Sequence, residues 1–241
     1  MAHRTGQRTL PSRTAGHAGG KRHWGRWVAA GVVGLVVLLV LAVGLFIKLQ
    51  PSPAPLVLPT GAASAPAGPL DGSWAVAAGS LAGFRVAETA LGFSNDTVGR
   101  TSAVTGTLVV SGGRLTSAAI RVDLTAVKIG GKTQPQLAKS LGTARNPEAT
   151  FTLTRPVTLS PAFASGATIR VTATGLLELN GVSRPVTFTV SGRRSGTALQ
   201  VAGSIPVAFS SWDITGPSGY GWLGSLADHG VAEFLLILDR G

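Results

Sequence analysis

Few side chains in this sequence could make or break a covalent bond. Past residue 26 there is one histidine, His229, next to Asp228. A hydrolytic site needs a base that touches its nucleophile and is itself oriented by an acid. Adjacent strand residues project to opposite faces, so Asp228 is expected to orient His229 poorly. No Gly-x-Ser-x-Gly elbow occurs, and cysteine is absent. The lack of cysteine excludes disulfides, thiolate metal sites, cysteine catalysis and an acylated lipoprotein anchor. One histidine with dispersed carboxylates lacks ligand spacing for zinc, and no Asp-rich calcium loop is present. No glycine-rich phosphate loop joins a strand to a helix. These residues predict a non-enzymatic protein without metal or cofactor.

What the sequence does favour is burial of an apolar ligand. The candidate wall is an alternating apolar set: Phe84, Leu108, Val110, Ile120, Val122, Phe151, Leu153, Leu177, Phe188, Val190, Ile205, Val207, Phe234 and Leu236. Such a wall would select a long apolar chain, but a filled sandwich core would use the same residues. Phe209 to Leu226 reads as a long loop carrying Trp212, Tyr220 and Trp222. Long loops within compact domains are usually functional or disordered. Aromatics with a polar tip suit a mouth or lid, and equally a plug folded back over one end. Arg184, Arg193 and Arg194 could pair with a phosphate head group, although scattered surface arginines give the same pattern.

The elements that must position these residues are strands. Gly175 to Val190 reads Gly-Leu-Leu-Glu-Leu-Asn-Gly-Val-Ser-Arg-Pro-Val-Thr-Phe-Thr-Val. Two apolar arms flank Asn180-Gly181, a pair that readily supplies the positive φ angles of a tight reversal. Val186, Phe188 and Val190 alternate with Thr187 and Thr189, the period of a strand with one face buried. The same period recurs at Leu108–Val110, after which Gly112-Gly113 turns the chain, and at Ile120–Leu124 and Phe151–Leu153. It returns at Ile169–Val171, Leu199–Val201, Ile205–Val207 and Phe234–Leu238, and Gln136 to Leu141 could form a short helix. About eight antiparallel strands result, each with one apolar face. Eight such strands can close into a barrel, although a two-sheet sandwich would show nearly the same alternation.

The central hairpin carries a resemblance. Gly-Leu-Leu-Glu-Leu-Asn-Gly-Val-Ser-Arg-Pro-Val resembles the hairpin signature of the YceI-like family of lipid- or polyisoprenoid-binding proteins. Trp74-Ala-Val with Ser80 and Phe84, Val104-Thr-Gly106-Thr-Leu, Asn146-Pro-Glu-Ala-Thr-Phe151 and Ala227-Asp-His-Gly are similar to further family landmarks. The similarity spans roughly Asp71 to Arg240. It departs at Ala77 and Gly79, where many members carry Asp and His. The resemblance implies an all-β, extended, lipocalin-like antiparallel barrel. It also implies a polyisoprenoid or isoprenoid quinone as ligand.

The N-terminal quarter points to a membrane. Residues 1–26 hold six basic side chains and no acid, and Lys48 adds one more. The remainder balances 14 basic residues against 10 acidic ones, so little of the net +11 lies on the later domain. Without a basic stripe, nucleic-acid binding is not expected. Trp27 to Ile47 is 21 residues without a charge. As a helix it would be about 31 Å long, enough to cross the hydrocarbon core. Its apolar run exceeds the ~7–15 residues of a signal peptide, and the cleavage-like Ala63-Ser-Ala65 lies far downstream. The charge asymmetry places the N-terminus in the cytoplasm, with Trp24 and Trp27 at the interface. Ala30 and Gly34 have the small-xxx-small spacing that could pair two spans into a homodimer. Pro51 to Pro69 reads as an extended linker.

The expected organisation is a cytoplasmic tail (1–26), one transmembrane helix (27–47), a linker (48–70) and an extracytoplasmic β-barrel (71–241). The barrel is expected to bind an apolar lipid in its lumen. The alternative is a surface interaction module with a filled core.

Overall fold

From residue 72 onward, apolar residues alternate with Thr, Ser and Arg, and strands follow. The computed structural model describes Leu35, Leu38, Leu39 and residues 52–90, 93–216 and 224–241. Two units are distinguished, Met1–Phe46 and Ile47–Gly241, and the second contains the sheet. Its strands are β1 (Gly72–Val76), β2 (Leu81–Ala90), β3 (Phe93–Thr101), β4 (Val104–Ser111), β5 (Arg114–Asp123) and β6 (Lys128–Ile129). They continue with β7 (Glu148–Leu153), β8 (Val157–Thr158), β9 (Ile169–Leu179) and β10 (Val182–Ser195). β11 (Ala198–Ala208), β12 (Gly224–Leu226) and β13 (His229–Arg240) complete the set. Short helices occupy Pro135–Ser140 and Pro161–Ala164.

All pairings are antiparallel, and the ring β1-β4-β5-β7-β9-β10-β11-β13 closes through β1–β13. This is the expected eight-stranded barrel. Closure leaves no unpaired edge around that ring. The Asn180-Gly181 turn forms with φ of 50° and 74°, the positive angles a two-residue reversal of this hand demands. The expected helix at 136–141 lies at Pro135–Ser140, and the two segments expected at Leu199–Val201 and Ile205–Val207 are one strand, β11.

The β2–β3 hairpin was not evident from periodicity, because Ser94, Asn95, Asp96, Gly99 and Arg100 break the apolar alternation. It extends the wall from β13, with β6 at its far side. β1 and β2 both run along β13 and so act as one stave interrupted at 77–80. Ser80 mends the break: its buried hydroxyl donates to the Ile237 carbonyl (3.1 Å) and accepts from the Ile237 N–H (3.0 Å). Gly79 turns there with φ of 90°.

One end of the barrel is solid. Trp74 and Leu238 are fully buried and pack with Leu108, Val110, Phe163 and Leu199. The Trp74 indole N–H donates to the Leu70 carbonyl at 3.0 Å. Packing this tight excludes voids there.

Residues 52–70, which take in most of the expected extended linker, have no regular secondary structure and are docked on the barrel. Arg100 Nη2 donates to the Ala54 carbonyl (2.6 Å) and Arg193 Nη1 to that of Gly61 (2.8 Å). Arg194 Nη2 donates to Ala67 and Gly68 (2.9 and 2.8 Å), and Arg240 Nη1 to Pro69 (2.7 Å). Proline-rich backbone exposes carbonyls that no sheet uses, and arginine forks from the strands satisfy them. Arg193 and Arg194 are therefore buried structural groups, not head-group ligands.

The span expected at 27–47 lies outside the described residues except for Leu35, Leu38 and Leu39, which are helical and exposed. Among the described residues no helix is long and apolar enough to cross a membrane. The basic tail, Trp24, Trp27, Ala30 and Gly34 also lie outside them.

Candidate functional site

The solid end gives way to an apolar cavity of about 620 Å³. That lies within the usual ligand-pocket range of roughly 300–1,000 Å³. All of the expected wall residues except Val110 line it. Val110 belongs instead to the Trp74 cluster that forms the floor.

Three phenylalanines explain how the lumen stays open. Each inward ring lies over a glycine on the neighbouring strand, where a side chain would otherwise stand. Phe234 pairs with Gly203, and a Cβ there would sit 2.8 Å from Phe234 Cζ. Phe84 pairs with Gly99, where a Cβ would meet Phe84 Cζ at 2.7 Å. Phe151 covers Gly175, which a Cβ would bring 2.5 Å from its Cε2. The rings thus lie along the wall instead of across the lumen. Phe188 joins them edge-on, 5.3 Å from Phe151 and 6.0 Å from Phe234 between centroids. T-shaped contacts of this kind stabilise an aromatic belt.

The cavity reaches the surface at the end opposite Trp74. Gln134 and Gln136 are exposed and line it. Leu137, Ser140 and Leu141, on and just after the helix that connects β6 to β7, add to the lining. Glu88 and Thr97, on the β2–β3 hairpin, add polar groups at the same end, where Thr97 Oγ1 donates to Glu88 Oε2 at 2.5 Å. Periodicity missed Leu137, Leu141, Val86 and Phe209 as wall residues. The hairpin and helix that present most of them carry no long alternating run.

The mouth loop is held by the central hairpin. Asn180 Nδ2 donates to the carbonyls of Trp212 (3.3 Å) and Asp213 (3.1 Å). Trp212 is buried, and its indole N–H donates to the Leu177 carbonyl at 3.3 Å. It does not line the cavity; Phe209 and Ile214 from the same loop do. Folding back satisfies its N–H and buries its ring at once. Tyr220 and Trp222 lie outside the described residues. Arg184 Nε is taken up by the Ser211 carbonyl (3.0 Å).

Asp228 and His229 do touch, with Nδ1 to Oδ1 at 2.8 Å, contrary to the strand-geometry expectation. Asp228 precedes β13, so strand alternation does not separate the two side chains. The His229 hydrogen bond, then its charge, lowers the Asp228 pKa. The pair is 98% and 72% exposed at the side chain, with no hydroxyl nucleophile bonded to it among the described residues. Its geometry makes a surface contact. Among the described residues no cluster of three potential metal ligands occurs.

Comparison with known proteins follows the same line. A YceI-like domain model matches residues 74–232. Among solved structures, a polyisoprenoid-binding domain from Saccharophagus degradans, implicated in plant cell wall breakdown, is similar over 71% of this chain and 99% of its own. The identity is 17% and the TM-score 0.54, a likeness of fold. BcnA from Burkholderia cenocepacia aligns over 64% of this chain and 95% of its own, at 17% identity and a TM-score of 0.48. No curated protein matches the chain.

Proposed function

The chain belongs to the YceI-like family, and from that premise we propose that it binds an isoprenoid lipid in the barrel cavity without chemical turnover. The observation that carries this is the apolar lumen of about 620 Å³ kept open by ring-over-glycine pairs. The polyisoprenoid named for the Saccharophagus degradans domain supports the ligand class. Burial of each CH₂ contributes about 0.8 kcal/mol, so two or three isoprene units offset the cost of association. Micromolar affinity needs about 8 kcal/mol net, which a chain of this type reaches.

The proposal includes a membrane setting. The uncharged run at 27–47 and the basic residues before it support a single-pass anchor with the barrel on the extracytoplasmic side. An anchored carrier samples membrane lipid at high effective concentration.

The test is mass spectrometry of the full chain, purified gently from a membrane-containing host and measured natively, then denatured. A mass excess lost on denaturation and identified as an isoprenoid supports the carrier. A bare polypeptide mass that takes up neither polyprenol nor quinone refutes it, and favours a surface interaction module.

A further inference from the structure

We propose that the cavity selects its ligand by head-group charge, accepting an uncharged hydroxyl or carbonyl head and rejecting a phosphate. This rests on the carrier function above and names the class of isoprenoid. The floor is sealed by Trp74 and Leu238, and the polar side chains of the lining are Glu88, Thr97, Gln134, Gln136 and Ser140 toward the mouth, with Thr150 on β7 and the buried Glu233 on β13. A chain with one polar end therefore enters tail first, leaving its head beside Glu88, Thr97, Gln134, Gln136 and Ser140.

That set contains hydroxyls, amides and one carboxylate. No Lys or Arg lines the cavity among the described residues. Nor do residues 91–92 and 217–223 contain a charged residue. Lys139, on the helix at the mouth, is exposed and is not part of the lining. The second carboxylate near the wall, Glu233, is engaged by Arg100 at 2.7 Å and Arg85 at 3.7 Å, and accepts from the Leu56 N–H at 3.2 Å. Among the described residues no cation pairs with Glu88. Thr97 satisfies Oε2, and Oε1 has no hydrogen-bond partner among the described residues.

A carboxylate is an acceptor only, so its free oxygen matches a hydroxyl donor, and the amides of Gln134 and Gln136 match either a hydroxyl or a carbonyl. A phosphate brings acceptors and negative charge to an acceptor of like charge. It would also lose water without gaining a cation, which is costly in a half-enclosed site. Phosphate recognition normally draws on arginine or lysine; here Arg85, Arg100, Arg193, Arg194 and Arg240 are engaged by the 52–70 segment and Glu233, and the exposed Lys139 is not part of the lining.

The experiment titrates the full chain, in a mild non-ionic detergent, with geranylgeraniol and with geranylgeranyl phosphate. The two probes share one apolar tail and differ only in the head. The expected result is binding of the alcohol at least about tenfold tighter than of the phosphate. Glu88→Gln, which keeps size and hydrogen bonding, should narrow that ratio, and Glu88→Lys should invert it. Equal affinities in the natural protein, or a ratio unmoved by Glu88→Gln, would overturn head-group selection while leaving the carrier function intact. If neither probe binds, the carrier function fails, and this inference with it.

Discussion

Replacing Gly203 by alanine tests whether the lumen is open for the reason given. The added Cβ would lie 2.8 Å from Phe234 Cζ, 3.3 Å from its Cε1 and 3.1 Å from the Thr189 carbonyl. Carbon contacts settle near 3.5–4.0 Å, so the Phe234 ring edge must move by about 0.7–1.2 Å. In a filled core that displacement is overpacking and costs about 1–3 kcal/mol. Beside a cavity the ring swings into empty space, and the loss of unfolded-state freedom on Gly→Ala contributes about 0.4–1 kcal/mol in the opposite direction. Net stability should therefore change by less than about 1 kcal/mol, a Tm shift of no more than about 4 °C. The ring would then occupy lumen that a lipid uses. Losing one or two buried methylene equivalents, about 0.8–1.6 kcal/mol, weakens binding roughly fourfold to fifteenfold. Thermal unfolding and a geranylgeraniol titration on the same preparation read both quantities. A fall in stability of 2 kcal/mol or more with unchanged lipid affinity would refute the reasoning, because it would mean the lumen is packed at Phe234.

Other perturbations address the floor, the docked segment and one carboxylate. Trp74→Ala empties a fully buried site and should cost about 3–5 kcal/mol in urea unfolding, where a loss below 1 kcal/mol would show a loosely packed floor. Arg194→Met removes the donors to Ala164, Ala67 and Gly68. It should expose the 52–70 segment to limited proteolysis well before the barrel is cut, and unchanged cleavage would show that the segment is held without that fork. The pKa of Asp123 is lowered chiefly by the Thr125 hydroxyl, 2.6 Å away. A depressed carboxylate stabilises the fold above its unfolded pKa, and the gain is lost as pH falls through the folded pKa. Thr125→Val should accordingly lower the urea midpoint slightly at pH 7, with the difference closing below about pH 4.

Legibility varied with how local the cause was. The Asn180-Gly181 reversal could be read directly, since positive φ at two successive positions is a property of residue type. The inward faces of β4, β5, β7, β9, β10, β11 and β13 followed from a period of two, and nearly all of the expected wall lines one cavity. The β2–β3 hairpin could not be read this way. Its outward residues Arg85 and Arg100 serve Glu233 and the 52–70 segment, which periodicity does not register. Whether Val110 belongs to floor or wall, and whether Trp212 faces the cavity or folds back, was not legible for a related reason. An inward or aromatic residue is apolar whether it fills a floor, pins a loop or faces a ligand.

Sequence by itself determined that the later domain is antiparallel β and that one face of it is apolar. Each of these depends on composition or on neighbours a few residues apart. Tertiary structure decided what that apolar face encloses. Trp74 and Phe163, far apart in sequence, meet to seal one end. Phe84, Phe151 and Phe234 find glycines on adjacent strands and leave the middle vacant. Arginines on β2, β3, β10 and β13 are drawn to the carbonyls of residues 53–69, which removes them from any head group. Volume and charge inside a barrel are sums over strands distant in the chain, so no local pattern carries them.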